Sequence, residues 1–528
     1  MSFTSLSFIG FLLAVFVIYF MVPRKIQWVI LLAASCFFYL CSGVKIIFFL
    51  LFSTATTFLA ALMLGRLSAD QKLKMNQLSS DEKKLVNELF KKKKRLVVVA
   101  ALLLNFGLLF ILKYYGFVAE SLQAALSMVT DSFSIPQIGI LLPLGISFYI
   151  FQSTGYVIDV YRGKYEPDKN PFKFALFVWF FPQIVQGPIG RHDKLAHQLY
   201  SPHRFDADKM KYGLQLILWG YFKKLVIADR AAVVVNQIFG NYTDYSGAII
   251  FFGVFMYSIQ IYCDFSGGID IARGIAQGSG IELAENFRRP YFATSLSDFW
   301  RRWHITLGSW MRDYLFYPIS LSKPFVKLGR KARKRFPGRT GKILPTSIAT
   351  FIVFFVIGLW HGGNWKYVFF GLYNGVIITF SLIYEPTYQR ICDRLHINRE
   401  SKSWYAFRIL RTLAIVTVGR YFTRGNDLVT ALLMIKRTIL YFGTGSMTAA
   451  TISTFGLSNS DWAVLIVSVM VMIAAGVLEE RGGNVRVELE KRKPILQIAV
   501  IVIAIIVLTA FGIFREGYIA SEFIYRQF

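Results

Sequence analysis

Long apolar runs are the feature that most restricts how this chain folds. Such runs cover residues 8–22, 96–112 and 495–514, and the run 26–64 contains a single charge, Lys45. A helix needs about 20 apolar residues to cross a bilayer, so the run 26–64 is long enough for two crossings with a turn around that lysine. Further candidate spans are 139–160, 172–188, 212–228, 247–262, 345–361, 365–383, 405–422 and 462–478.

These segments predict an all-α, multi-pass membrane protein with about eleven or twelve transmembrane helices. The composition agrees with this class, because 55% of the residues are hydrophobic and only 17% are charged. A soluble protein normally carries about 25% charged residues. The N-terminus has no basic region before the first run and no small-residue cleavage site after it, so a cleavable signal peptide is not expected.

The distribution of charge predicts which segments face the cytoplasm. The formal net charge is +28, and much of the excess lies in the stretches 66–95 and 322–342, which are predicted to be loops. Lys and Arg accumulate on the cytoplasmic side of membrane proteins, so both stretches and Arg24 are predicted to face the cytoplasm. We expect them to contact anionic lipid head groups, or alternatively an acidic partner or acyl donor. No recognition motif accompanies the charge, so nucleic acid is not an expected partner.

The middle of the chain differs from its two ends. Residues 140–375 combine apolar runs with glycines, prolines, aromatic residues and charges, whereas the ends are plain apolar helices. Broken helices at membrane depth are tolerated only where protein or a water-filled cavity covers the freed backbone. We therefore predict one integral membrane domain over 1–528, with wall helices in 1–139, a packed polar core with a cavity in 140–375 and C-terminal helices in 376–528. No internal repeat is found, which disfavours transporters built from inverted halves.

His361 is the first candidate for chemistry. It closes the apolar run 352–360 and is followed by two glycines and Asn364. An ionisable residue in a membrane span is costly and is a functional candidate by default, and a desolvated imidazole that stays neutral suits a general base. The alternative is structural: glycine after the last turn is typical of a helix end, where a histidine can bind free carbonyl groups.

His304 is the second candidate. The segment 298–307 is predicted to be one partly amphipathic helix, on which Trp300 and His304 share a face and Asp298 pairs with Arg301 or Arg302. The alternative is an interfacial helix with a belt of aromatic and arginine side chains.

Asp264 and Asp270 flank a pair of glycines just after an apolar span. They are candidates for a metal site, for a proton relay or for ion pairing with the arginines of 288–302, and we favour ion pairing because that stretch is so rich in arginine. A metal site would need more hard ligands at defined spacing, and none is apparent. The four cysteines form no CxxC motif, so neither a disulfide framework nor a zinc site is indicated.

At these residues the chain resembles a known family. The matching stretches are 142–148, 181–189, 262–274, 286–291, 297–306 and 358–362. In this order and spacing they resemble the membrane-bound O-acyltransferase superfamily, in particular its bacterial branch of alginate O-acetyltransferases, whose relatives include teichoic-acid D-alanyl transfer proteins. Residues 316–320 depart from the alginate-type pattern, which indicates a different subfamily and leaves the acceptor open.

The resemblance implies a fold and a site. The expected fold is a ring of transmembrane helices, with re-entrant and interfacial helices, around a tunnel that meets near the histidines. His361 matches the essential intramembrane histidine of the family, and His304 its second histidine. Candidates to line the tunnel or support these residues are Trp300, Trp303, Arg301, Arg302, Asp298, Asp264, Asp270, Trp360 and Asn364.

The resemblance also implies an activity: transfer of an acyl group from a cytoplasmic thioester to a hydroxyl of an extracytoplasmic polysaccharide. Acetyl is the first choice for the acyl group. We expect no bound cofactor or metal, acetyl-CoA as the donor, and an extracytoplasmic esterase-like partner that relays the acyl group. The alternatives are D-alanyl transfer from an acylated carrier protein and, in a different class, a transporter whose buried aspartates line an ion path.

Overall fold

The computed structural model describes residues 1–76, 78–128, 134–136, 142–336, 338–443 and 447–513. The regular secondary structure of these residues is helical. The one β-type pairing among them is an isolated antiparallel bridge between Phe287 and Trp303. The predicted all-α class is therefore confirmed. Part of the predicted span 139–160 lies outside the described residues.

The first compact unit comprises residues 1–214 and 271–284. Its helices, including one that continues into the second unit, are α1 Leu6–Met21, α2 Gln27–Leu40, α3 Ile47–Met75, α4 Ser80–Leu126, α5 Ile146–Tyr161, α6 Pro171–Trp179, α7 Phe181–Ile184, α8 His192–Tyr200 and α9 Ala207–Tyr221. Buried polar pairs join these helices: the Ser53 hydroxyl donates to Asn105 Oδ1 over 2.6 Å, and the Trp179 indole donates to Thr54 Oγ1 over 2.8 Å. Such pairs satisfy polar groups that water cannot reach.

The second compact unit comprises residues 215–270 and 285–528. Its helices are α10 Asp229–Gly240, α11 Gly247–Gly278 (whose last turns belong to the first unit), α12 Leu296–Arg302, α13 Ile305–Met311, α14 Tyr317–Ser320, α15 Lys323–Arg335, α16 Arg339–His361, α17 Trp365–Arg394, α18 Lys402–Arg424, α19 Leu428–Leu440, α20 Ala449–Ser453, α21 Asn459–Glu480, α22 Val485–Glu490 and α23 Pro494–Phe511. Two π-helical segments, Phe222–Ala228 and Arg312–Phe316, interrupt the α-helical geometry.

Seven of the described helices are long and apolar enough to cross a membrane. They are Val44–Met75, Ser80–Leu126, Gly247–Gly278, Arg339–His361, Trp365–Arg394, Asn459–Glu480 and Pro494–Phe511, and α1 is a shorter apolar helix. The chain is therefore a multi-pass membrane protein. Seven is fewer than the eleven or twelve predicted, because several predicted spans are broken or carry charge. Residues 172–188 divide into α6 and α7, which meet at Phe180, and residues 212–228 run from α9 into a π-helix.

The two basic stretches are helical rather than loops. The stretch 66–95 consists mainly of the end of α3 and the start of α4, and the stretch 322–342 contains α15 and the first turn of α16. Lysine and arginine are good helix formers, and α15 carries its basic residues over a 13-residue helix. Each cluster therefore forms an extended cationic surface along a helix.

The helices α16 and α17 form a hairpin that positions the site. Their backbones approach closely: a Cβ added at Gly358 would lie 2.4 Å from the Tyr367 carbonyl oxygen and 3.0 Å from Gly371 Cα. Only glycine permits this approach. The close packing fixes the end of α16, and with it His361, against the first turns of α17.

Candidate functional site

His361 is the last residue of α16 and is 8% exposed. The helix ends there because Gly362 continues in an extended conformation and Asn364 caps the next helix, accepting from the Lys366 amide over 3.0 Å. The imidazole packs among aromatic rings, with centroid distances of 6.1 Å to Tyr367 and 5.5 Å to Phe370. His361 therefore ends its helix, as its following glycines predict, and presents a buried imidazole.

The segment around His304 is not the single helix that was predicted. Helix α12 ends at Arg302, Trp303 is extended, and His304 has a φ of +47° before α13 begins at Ile305. The helix breaks because this segment pairs with the earlier loop: the Arg288 amide donates to the Arg302 carbonyl over 2.9 Å. Trp300 and His304 therefore do not share a helix face, and that prediction is wrong.

The left-handed backbone of His304 is uncommon for a residue with a Cβ and is found preferentially at functional sites. The neighbouring Ile305 amide donates to the Asn286 carbonyl over 3.0 Å, which holds the turn in place. The resulting imidazole is 2% exposed and lies edge-on to Phe265, with 4.9 Å between the ring centroids. Burial of the imidazole lowers the pKa of His304 well below its ordinary value, so this histidine is neutral at physiological pH.

Asn286 fixes the tautomer of His304. Its side-chain oxygen accepts from the Thr306 amide over 3.0 Å, from the Thr306 hydroxyl over 2.9 Å, and lies 3.2 Å from His304 Nδ1. Because a backbone amide can only donate, the atom it binds must be the oxygen of Asn286. His304 Nδ1 must therefore carry the proton, which leaves the lone pair on Nε2.

A single tryptophan joins the two histidines. The Trp360 ring centroid lies 5.6 Å from that of His304 and 5.0 Å from that of His361. Trp300 packs nearby, where its indole donates to Asn374 Oδ1 over 3.0 Å and its ring lies 6.1 Å from Phe370. The structure thus brings together the two histidines and two of the predicted tryptophans in one buried aromatic cluster.

The predicted charged candidates on α12 lie in an ion-pair network. Asp298 is 3.2 Å from Arg302 Nε and 3.8 Å from Arg301 Nη2, as predicted from their spacing. Arg302 also binds Glu480 at the end of α21, over 3.0 Å, whereas the Arg301 side chain is 74% exposed. Asp298 and Arg302 therefore join α12 to α21.

Asp264 and Asp270 form ion pairs, but with lysines rather than the arginines of 288–302. Lys224 Nζ lies 2.6 Å from Asp264 and 3.0 Å from Asp229, and Lys223 Nζ lies 2.7 Å from Asp270. The two lysines come from the π-helix Phe222–Ala228, a local geometry that frequently occurs at functional sites. In the part of the chain that the structure describes, no group of three or more His, Cys, Asp or Glu side chains has the arrangement of a metal site.

Asn286 is a residue of the candidate site that the sequence analysis did not single out. It lies in a loop, 18 residues before His304, and no periodicity links the two positions. An asparagine in a loop is ordinarily read as a turn residue. The sequence signal that could have indicated it is its position at the start of 286–291, one of the stretches that carry the family resemblance.

The fold and the site define a class: a multi-pass helical membrane protein with two buried histidines against one tryptophan. A family model described as the membrane-bound O-acyltransferase family matches residues 167–333 and 334–419, and this range contains both histidines and Asn286. The chain belongs to that family.

Three relatives carry different descriptions. The chain is 34% identical over 317 residues to a probable alginate O-acetylase of Pseudomonas syringae, a match that covers 60% of this chain and 55% of the relative. It is 28% identical over 366 residues to a peptidoglycan O-acetyltransferase of Helicobacter pylori, covering 64% of each. It is 27% identical over 251 residues to a teichoic acid D-alanyltransferase of Bacillus subtilis, covering 45% of this chain and 58% of the relative. The matches thus span between about half and two thirds of these relatives' lengths.

Proposed function

We propose that this protein is a membrane O-acyltransferase that moves an acyl group, acetyl in the first instance, from a thioester donor to a hydroxyl of a cell-envelope polysaccharide. The observation that carries the proposal is the pair of buried histidines against Trp360, one of them held by Asn286 in a defined neutral tautomer. The family match over this region and the three relatives' names support the same class of reaction.

In the proposed reaction His361 is the general base. It takes the proton of the acceptor hydroxyl while the oxygen attacks the thioester carbonyl carbon. The tetrahedral intermediate then expels the thiolate, which takes the proton back from His361, so that an ester and a free thiol are formed. General base catalysis contributes about 10²–10⁴-fold, and positioning of two substrates adds to it. A thioester is already activated, so these two effects suffice without a metal.

Two roles are possible for His304 in this reaction: orienting the acceptor, or stabilising the charge that develops during the attack. With Nδ1–H bound to Asn286, the other nitrogen of a neutral His304 carries a lone pair and accepts hydrogen bonds. A lone pair repels a developing oxyanion, but it accepts a hydrogen bond from an O–H group. We therefore assign His304 to orienting a hydroxyl of the acceptor.

The cellular setting follows from the same reasoning. We propose that the protein lies in the cytoplasmic membrane of a bacterium, with its basic helices on the cytoplasmic side where thioesters are made. Acetyl-CoA is the proposed donor, the proposed acceptor is polymeric, and an extracytoplasmic esterase-like protein is the proposed relay. The rival donor is an acylated carrier protein, because one relative is described as a D-alanyltransferase.

A transporter is the rival from another class. Its ion path would run along Asp264 and Asp270, but each of these carboxylates lies within 2.7 Å of a lysine nitrogen. A carboxylate already neutralised by a buried lysine is a poor transient site for a second cation, because the ion would have to displace that lysine. This pairing favours the transferase.

The test is the acyl content of the envelope polymer in cells that carry wild-type protein or His361→Ala at matched protein levels. We expect the ester content to fall to the level of cells without the protein. Trp365→Phe is a control, since Trp365 begins α17 close to His361 in the sequence but has an exposed side chain. Normal acylation in the His361→Ala strain would remove this histidine from the mechanism.

A further inference from the structure

Arg420 is a buried cation beside the histidine site. It lies in the last turns of α18 and is 3% exposed. Its guanidinium carbon is 4.6 Å from the ring centroid of Trp303 and 6.0 Å from that of Phe299. Trp303 directly precedes His304, so this cation packs on the residue next to a histidine of the candidate site. The family match ends at residue 419 and does not include it.

Nothing in the described parts of the chain neutralises this guanidinium. Its Nε and Nη2 atoms are buried and have no hydrogen-bond acceptor among those residues. The hydroxyl of Tyr291 hydrogen-bonds the guanidinium, but this group is neutral and itself donates to the Ser258 carbonyl. By contrast, buried Arg230 has Asp461 at 3.3 Å. An uncompensated buried charge is costly, and natural structures rarely retain one without a purpose.

The two unpaired nitrogens have a specific geometry. Nε–H and Nη2–H point from the same edge of the planar guanidinium, and this edge binds two oxygens of one carboxylate or phosphate at once. A neutral hydroxyl or carbonyl would use only one of the two donors. The arrangement therefore fits an anion with two oxygens close together.

The packing of α18 brings its last turns next to the start of α17, which follows His361. The residue after α18, Gly425, accepts from Lys366 Nζ over 2.7 Å, so the end of α18 lies beside the start of α17. A Cβ added at Gly419 would lie 3.7 Å from the Phe370 ring, and that ring packs edge-on against His361. The residue before Arg420 thus lies against an aromatic ring of the candidate site.

We propose that Arg420 is a substrate-binding residue that takes a phosphate or carboxylate group through its Nε–H and Nη2–H donors. This inference rests on the proposed function, because it assigns the anion to a substrate of the transferase. Because Arg420 packs on Trp303, we assign it to a part of the substrate other than the reacting carbonyl. The anion comes from one of two sources: a phosphate of the thioester donor or a carboxylate of a uronic-acid acceptor.

The test is equilibrium binding to the purified full-length protein in detergent, which requires no turnover. CoA is compared with pantetheine, which has the same thiol arm without phosphates, and hexagalacturonate is compared with neutral maltohexaose. The variants are Arg420→Met, Arg420→Lys and the matched control Arg424→Met. Arg424 lies one turn further along the same helix, and its guanidinium binds Asn236 over 2.7 Å.

We expect Arg420→Met to bind one of the two anions about 10- to 100-fold more weakly, the range for charge-assisted hydrogen bonds, with unchanged affinity for its neutral counterpart. Arg420→Lys keeps the charge without the two-donor edge and should lose affinity partially, and Arg424→Met should bind as wild type does. The anion affected identifies the source.

Two results would overturn the proposal: wild-type affinity of Arg420→Met for both anions, or no preference of the wild-type protein for either anion over its neutral counterpart. If Arg420→Met does not fold, the same comparison is made with Arg420→Lys: wild-type affinity for both anions would overturn the proposal. Because binding is measured without catalysis, a protein that transfers no acyl group but shows this loss would contradict the proposed function and leave the anion site standing.

Discussion

Asn286→Asp is the perturbation that most sharply tests the geometry at His304. The two side chains have nearly the same shape, so the three contacts to Thr306 and His304 can all be kept. The new carboxylate would lie about 3 Å from His304 Nδ1, and a unit charge at about 4 Å is worth roughly 4 kcal/mol at an effective dielectric constant near 20. At about 1.4 kcal/mol per pKa unit, this raises the pKa of His304 by up to about 3 units.

The consequence is a new dependence of activity on pH. In the wild-type protein burial lowers the pKa of His304, so the imidazole stays neutral and does not limit activity near neutral pH. Because burial holds the pKa of the wild-type imidazole at about 3, the rise in Asn286→Asp moves this pKa into the acidic range but not to neutrality. His304 therefore becomes cationic at acidic pH, where Nε2 donates instead of accepting, and stays neutral at pH 7. Activity should therefore fall on the acidic side of neutrality and recover as the pH rises through the new pKa.

The assay is acyl transfer by purified protein between about pH 4.5 and pH 8, the range that contains the raised pKa. Thermal unfolding is measured over the same range to confirm that the variant folds. Asn374→Asp is the matched control, because Asn374 is also a buried amide but binds the Trp300 indole and neither histidine. A pH profile of Asn286→Asp that superimposes on the wild-type profile would refute the tautomer assignment.

Three further predictions follow from other parts of the structure. His304→Ala should reduce the turnover rate by about 10²-fold, in the range for a residue that positions a reacting proton, and wild-type turnover would make His304 structural. Lys224→Met should lower the free energy of unfolding by about 3–5 kcal/mol, because it leaves Asp264 and a second carboxylate buried without their cation. Adding Asp264→Leu should restore part of the lost stability, and denaturation in detergent measures the free energy of unfolding of both variants. Cysteines at Lys92 and Arg333 should resist an impermeant thiol reagent in intact cells, and labelling at either position would reverse the topology.

The features that sequence reasoning predicted are those that depend on local pattern. Runs of about 20 apolar residues predict spanning helices because a bilayer forces every backbone group to be satisfied within the helix. This holds for α4 and α16. The end of α16 at His361 was also predicted, because the following glycines stop a helix whatever surrounds it.

The features that it missed depend on contacts between distant residues. The segment 298–307 has a helical pattern, but its pairing with Phe287 and Arg288 breaks the helix at Trp303. That pairing gives His304 its unusual backbone and brings Asn286 to its ring. The partners of Asp264 and Asp270 were missed for the same reason, since Lys224 is 40 residues away from Asp264 in the sequence. Local propensity carries no information about such contacts.

The central claim is that His361 catalyses acyl transfer from a thioester, and one measurement tests it most directly. Purified protein is mixed with radiolabelled acetyl-CoA and a polysaccharide acceptor, and released CoA and labelled ester are quantified for the wild-type protein and for His361→Ala. We predict that the wild-type protein forms the two products in equal amounts and that His361→Ala forms neither above background. Equal turnover by His361→Ala would contradict the claim. If the protein transfers the acyl group only from an acyl-loaded carrier protein, that carrier and not acetyl-CoA is the donor.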